Sequence, residues 1–167
     1  MIETTTGGET TPSVGQLPVE RDGPEIATRT TLLVVATIVA AAFLPYVNSF
    51  ANGFALDDVP IIRDNPLVHD LNDPARLWTS PYWPVAGTVL GLYRPFTIFL
   101  FAVQWVLGGG AATLFHVVNV AFHAINTVLV FGLLRTLLRG GRAGLWAAAV
   151  GAVVFAVHPV RTEAVAN

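Results

Sequence analysis

The sequence predicts an all-α integral membrane fold, with three transmembrane helices and further helices along the outer face. Two observations carry this reading. First, charged residues make up only 12% of the 167-residue chain, where a soluble domain carries about 25%. Second, that deficit is concentrated: no Asp, Glu, Lys or Arg occurs from Thr30 to Leu56, Leu77 to Tyr93, Pro95 to Leu134, or Ala143 to Val160. Long uncharged apolar tracts of this kind belong in a bilayer. The net charge of -2 and the lack of a basic patch give no support to a nucleic-acid partner. The absence of Cys excludes a disulfide framework or a thiolate metal site.

Residues 1–29 are expected to form a disordered cytoplasmic tail, because Thr, Gly, Glu and Pro dominate the segment. Transmembrane helix 1 is expected over residues 30–48, as a signal anchor. Arg21 and Arg29 precede it, and positive charge favours the cytoplasmic side. Residues 49–111 then form an outer loop. Within it, "NDPARLW" predicts a short helix capped by Asn72 or Asp73, with Pro74 in the first turn. Trp78, Tyr82 and Trp83 suit a membrane interface.

The tract after Tyr93 admits one crossing or two. Residues 93–107 would give a helix of about 22 Å, short of a ~30 Å hydrocarbon core. The arginines decide between the options. Two crossings would put Arg135, Arg139 and Arg142 outside, whereas one keeps them in the cytoplasm. Residues 93–107 are therefore expected as an interfacial helix and 112–138 as transmembrane helix 2. A cytoplasmic turn over 139–142, transmembrane helix 3 over 143–158 and the start of a second outer loop over 159–167 complete the chain. Small residues recur at Gly144, Ala148, Ala152 and Ala156, a spacing that lets another helix approach closely.

Several polar residues stand out against this background. Asp57 and Asp58, just outside the first span, are candidate catalytic residues, since a carboxylate near a membrane surface can be tuned as a general base. The alternative is a solvated loop start in which one carboxylate caps a helix near Pro60. In an extended segment the two side chains would point opposite ways, so only one need face a site. Arg94 is either a snorkelling anchor or a bidentate partner for phosphate. His116, Asn119, His123 and Asn126 form one stripe on the second span, read first as interhelical hydrogen bonding. His158, Arg161 and Glu163 gather around Pro159, either as an ordinary polar loop or as part of a site.

The ordered set "DDVPIIRDNP", "YW", "YRPFT", "FHVVNVAFHAINTVLVFGLLR" and "FAVHPVRTEAV" resembles the membrane glycosyltransferases of the GT-C superfamily. Among these it looks closest to the transmembrane-and-tetratricopeptide-repeat proteins related to protein O-mannosyltransferases. The resemblance implies a partial GT-C fold, in an amino-terminal piece of a longer protein that is not active alone. It implies an inverting transfer of a sugar, mannose in such families, from a polyprenyl-phosphate donor in the bilayer to a protein or glycan hydroxyl. The family's acidic pair maps onto Asp57 and Asp58, with the first member as the usual base. Tyr93, Arg94, His158, Arg161 and Glu163 are then candidate substrate-binding residues. No metal ligand set is expected, since nearer relatives resemble metal-independent enzymes, although the paired carboxylates leave a divalent metal possible. Rival readings are a non-catalytic membrane anchor for a repeat scaffold and a lipid-sugar transporter fragment. All nine basic residues are Arg, and the chain is rich in Ala and Val. This points to a GC-rich bacterial genome, hence a bacterial inner membrane with the active face periplasmic.

Overall fold

The computed structural model describes residues 24–84, 92–138 and 140–166, and every regular element among them is helical. The tail predicted over residues 1–23 lies outside the described residues, as do Arg139 and Asn167. Helix α1 covers Pro24–Phe43. It starts before the expected residue 30, so residues 24–29 are helical rather than part of a disordered tail. Pro24 supplies the reason: its fixed φ is already helical and its missing N–H has no partner to lose in a first turn. At Pro45 the chain tightens into a 3₁₀ segment, Leu44–Ala51, because proline cannot donate to the preceding α turn.

The outer segment is a chain of short turns. Leu56 takes a left-handed conformation, φ 46°, and reverses the chain into a single wide π-type turn, Val59–Arg63. Asn65, 3% exposed, locks that turn to the next one. Its amide donates to the Ile61 carbonyl (3.0 Å) and its side-chain oxygen accepts from the Leu67 N–H (3.1 Å). Helix α2, Pro74–Thr79, is capped by Asp73, whose carboxylate accepts from the Arg76 N–H at 3.1 Å. Helix α3, Pro95–Gly108, starts right after Arg94 because the residue before a proline is held out of the helical region. Gly109 and Gly110, at φ 59° and 78°, end it, a left-handed pair that glycine adopts without steric cost.

Helices α4, Ala112–Leu137, and α5, Gly141–Val157, complete the bundle, and α6, Arg161–Ala166, comes after them. The segment after His158 is thus helical, with Pro159 ending α5 and setting the next turn. Val34 and Ile38 of α1 meet Phe131 of α4 and Leu145, Ala148 and Ala152 of α5. Tyr46 meets Val120 and Val165, and the Thr113 hydroxyl donates to the Phe50 carbonyl at 3.0 Å. The three helices therefore run up, down and up. The outer segment caps the end where α4 begins: Ile61, Ile62, Val68, Leu77, Ile98 and Ala102 cluster with Phe115.

Among the described residues, two stretches are long and apolar enough to cross a membrane, residues 28–51 and 112–137, with mean hydropathies of 2.1 and 1.9. The sequence predicts three. Helix α5 has 17 residues, about 25 Å, shorter than the roughly 30 Å hydrocarbon core. Hydroxyls inside the long helices are tucked onto their own backbone, Thr37 onto the Leu33 carbonyl and Thr127 onto the His123 carbonyl, which removes the cost of exposing them to hydrocarbon.

The small-residue stripe on α5 is buried throughout. A Cβ on Gly144 would lie 2.2 Å from the Leu138 carbonyl oxygen. Gly144→Ala is therefore expected to destabilise the bundle by about 1–3 kcal/mol, read by denaturant titration in micelles. Gly132, with nothing within 4 Å of its Cβ position, is the control. Gly132→Ala should stay within about 0.5 kcal/mol of the parent. Equal effects at the two positions would refute the close-packing account.

Candidate active site at the head of the bundle

The acidic pair does not lie on an extended strand. Asp57 is in the turn set by Leu56, and Asp58 opens the π-type turn, with φ -66° and ψ -27°. The left-handed Leu56 and the proline at position 60 force this bend, so the strand-like alternation predicted from the sequence does not apply. The two carboxylates still separate. Asp57 is exposed and Asp58 is half-buried. Asp58 makes no capping hydrogen bond to the turn it begins, which removes the helix-cap explanation for its presence.

The surroundings of Asp58 are polar and specific. Burial pushes its carboxyl above the ordinary carboxylate range, the His116 imidazole pulls it back, and the Asp57 carboxylate adds to the rise. Tyr82 lies within the same field. Burial raises its phenol, the Arg94 guanidinium opposes that rise, and Asp58 and Asp57 reinforce it. The Arg94 guanidinium carbon lies 5.0 Å from the centre of the Tyr82 ring, a cation–π distance. A backbone bond from the Tyr82 N–H to the Leu92 carbonyl (3.0 Å) brings residues 82 and 94 together. Tyr93 points elsewhere: it is exposed, and its hydroxyl donates to the Trp78 carbonyl.

The second outer group forms its own cluster. Arg161 lies over Phe155, 4.3 Å from the ring centre. Phe155 stacks on His123, which also meets Tyr46 edge-on. The His158 ring accepts from the Val160 N–H at 3.3 Å. Glu163 falls on α6, with its side chain outside the described residues. Tyr82 thus feels both Arg94 and the acidic pair, while His158 and Arg161 stay with the α4–α5 pair. Of the polar stripe, His123 bonds across to the Ala156 carbonyl at 3.0 Å, the interhelical role expected of it. His116 does not. It is 2% exposed, and neither ring nitrogen has a hydrogen-bond partner among the described residues.

Two residues that share electrostatics with Asp58 were not among the candidate site residues read from the sequence. Tyr82 reads as an interfacial aromatic and His116 as helix glue. Their common signal was weak: each precedes or succeeds an aromatic that packs under the outer turn, Trp83 and Phe115. Among the described residues no group of three or more His, Asp or Glu side chains converges as a metal site. A separate groove of about 380 Å³ lies between α1 and α5, lined by apolar residues such as Val34, Ile38, Trp146 and Val153. It holds no titratable group and belongs to the bundle flank, not to the acidic pair.

No protein-family model and no solved structure matches the chain. Curated proteins do. Protein O-mannosyl-transferase Tmtc2 of Drosophila melanogaster is 36% identical over 133 residues, which covers 75% of this chain and 13% of that protein. Tmtc1 of the same fly is 38% identical over 134 residues, covering 77% and 15%. Over this stretch the chain is related to the TMTC protein O-mannosyl-transferases. Human TMTC4 extends the match to 148 residues at 33% identity, covering 81% of this chain and 20% of the relative. The chain therefore spans no more than about a fifth of the length of these TMTC relatives.

Proposed function

We propose that this chain is the donor-facing, amino-terminal part of an inverting membrane glycosyltransferase. The full protein would move mannose from a polyprenyl-phosphate carrier to a hydroxyl of a protein acceptor. The observation that carries the proposal is that Arg94, Asp58 and Asp57 all bear on Tyr82 at the end of an apolar helix bundle, in a chain similar to named O-mannosyl-transferases.

Asp57 is the proposed base, exposed where an acceptor can reach it. Its carboxylate takes the hydroxyl proton as the oxygen forms a bond to the anomeric carbon. The bond from that carbon to the phosphate oxygen breaks on the opposite face, and the electron pair leaves with the lipid phosphate. Arg94 offers that phosphate a planar, permanently charged fork. Proximity gives the acidic pair its meaning, because the donor is confined to the same surface. One observation favours a second assignment: Asp58 is the member turned inward, and a base held above the usual carboxylate range is better matched to neutral pH.

The proposal includes the three-span topology, with α3 along the outer surface. The named contacts of α3 with α4 fall on Leu114 and Phe115, in the first turn of α4, while its buried side chains pack on the outer segment. This pattern supports a helix that lies across the bundle end. Arg135 and Arg142 support a cytoplasmic α4–α5 turn. A Cys introduced at Gly140 of this Cys-free sequence should react only with reagent supplied from the cytoplasmic side. Labelling from outside would overturn the topology. The Arg-only, Ala- and Val-rich composition supports a bacterial inner membrane with a periplasmic outer face, whereas the fly and human relatives are animal proteins.

The activity is tested with the full-length protein in membranes and a radiolabelled polyprenyl-phosphate mannose. Label appearing on Ser or Thr of acceptor protein supports the proposal. Label crossing the bilayer still attached to lipid would replace it with the transporter reading, and no handling of the donor would replace it with the membrane anchor.

A further inference from the structure

His69 lies outside the polar stripe of α4 and outside the proposed chemistry, yet two directional contacts converge on it. It follows the short 3₁₀ turn Pro66–Val68 and is half-buried. Its Nε2 lies 3.0 Å from the Ile62 carbonyl oxygen. A carbonyl can only accept, so Nε2 carries the proton and donates. Ile62 belongs to the π-type turn Val59–Arg63, the turn that Asp58 opens. Near the end of a single turn a carbonyl finds no partner further along a helix. This one takes the Asn65 N–H at 3.3 Å as well as the imidazole. The same ring lies flat on the Trp105 indole, with centres 3.8 Å apart and planes at 10°. Trp105 is on α3, the helix that begins right after Arg94. The indole is itself held. Phe54 lies nearly parallel to it at 6.1 Å, and Gly110 runs along its edge, where a Cβ would come 3.0 Å from the indole Cζ2.

The rest of the outer segment meets α3 through apolar side chains: Ile61, Ile62, Val68 and Leu77 gather with Ile98 and Ala102. Such burial is non-directional, so it holds the two together without fixing how they sit. A hydrogen bond and a ring stack have preferred geometries and do fix it. We propose that His69 is a positioning residue: its ring clasps the turn bearing the acidic pair to the helix that follows Arg94, and so sets where the base stands relative to that guanidinium. The role in catalysis rests on the glycosyltransferase reading, whereas the clasp rests on its two contacts alone. His69 acts through the Ile62 backbone rather than on the reacting atoms.

The test uses the full-length protein in lipid nanodiscs, with a spectral and a kinetic readout. Histidine is labelled with ¹⁵N and ¹³C, and the His69 signals are assigned by their loss in His69→Gln. In the neutral ring Nε2 should carry the proton and Nδ1 should not. The ring protons should resonate upfield because they lie over an indole face, and Trp105→Leu should return them towards the free value. Trp105→Phe, which keeps a smaller aromatic plate, should move them part of the way and serves if the Leu variant does not fold. An Nδ1–H tautomer, or ring protons indifferent to both Trp105 variants, would overturn the clasp. In the kinetic readout, mannosyl transfer is measured per folded molecule. His69→Phe keeps the stack and loses the donor, whereas His69→Gln keeps an N–H at a similar reach. A displacement of about 1 Å can cost about 100-fold, so His69→Phe should lower kcat about 10- to 100-fold with the donor KM unchanged, and His69→Gln should recover part of the loss. A residue that merely stabilised the fold would reduce the amount of folded protein and leave kcat as it was. That result, or no recovery by Gln, would overturn the positioning role. If the spectra come out as expected while Asp57→Asn keeps full transfer, the clasp stands and the general-base reading falls. If Asp57→Asn abolishes transfer while His69→Phe keeps full kcat, the base reading stands and the positioning role falls.

Discussion

Replacing Asp57 with Asn in the full-length protein is expected to lower kcat by about 10²–10⁴-fold, the range that general-base catalysis supplies. Asn keeps the size and the hydrogen-bonding reach of the side chain but cannot take a proton. Asp57 is exposed, so the substitution leaves no unpaired buried group and the fold should persist. Donor affinity should change little, because the proton moves only in the transition state. Asp58→Asn is expected to do less, because its half-buried side chain is less open to an acceptor. The assay is sugar transfer from the polyprenyl-phosphate donor in membranes, normalised to expression. Full transfer by Asp57→Asn together with its abolition by Asp58→Asn would move the base to Asp58. Full transfer by both variants would end the general-base account, and the acidic pair would revert to a solvated turn.

The second large effect is expected at Arg94. A hydrogen bond to a charged group contributes about 1.5–3 kcal/mol, so Arg94→Ala should raise the donor KM about 10- to 100-fold. The acceptor KM should hold. Arg94→Lys should recover only part of the loss, because an ammonium keeps the charge but loses the bidentate fork. Tyr82→Phe is the informative companion. It preserves the ring under the guanidinium, 5.0 Å from its carbon, and removes only the phenol oxygen, so a mild effect is expected. A donor KM unmoved by Arg94→Ala would return this residue to the role of a membrane anchor.

The parts of the molecule that could be read in advance are those where one local rule operates. Uncharged tracts located the two long helices, and a cap at Asn72 or Asp73 before Pro74 marked α2, with Asp73 the one that serves. The stripe from Gly144 to Ala156 named the packed face of α5. The reading failed where one residue redirects several others. Leu56 adopts a backbone conformation that Leu rarely takes, and nothing in its identity signals this. With it went the strand-like picture of Asp57 and Asp58, and so which carboxylate faces inward. Pro24 started α1 early because a terminal proline suits a helix as readily as a tail. His116 and His123 look alike along the sequence. Only the approach of α5 to one and of the outer turn to the other distinguishes them.

The apolar contacts fall into separate clusters: one between the bundle helices, one under the outer segment, and a small one at their junction. Each cluster carries its own opening free energy, so the molecule need not loosen all at once. The outer segment begins at a left-handed Leu56, a conformation that costs roughly 1–2 kcal/mol for a residue with a side chain, and it is closed chiefly by Ile61, Ile62 and Phe115. It has the makings of a unit that opens on its own, while α1, α4 and α5 stay assembled. Under the proposed reaction a lipid-borne donor would arrive sideways from the bilayer and its spent carrier would leave the same way. A hatch that lifts on a standing frame admits that traffic without exposing the helix packing to it.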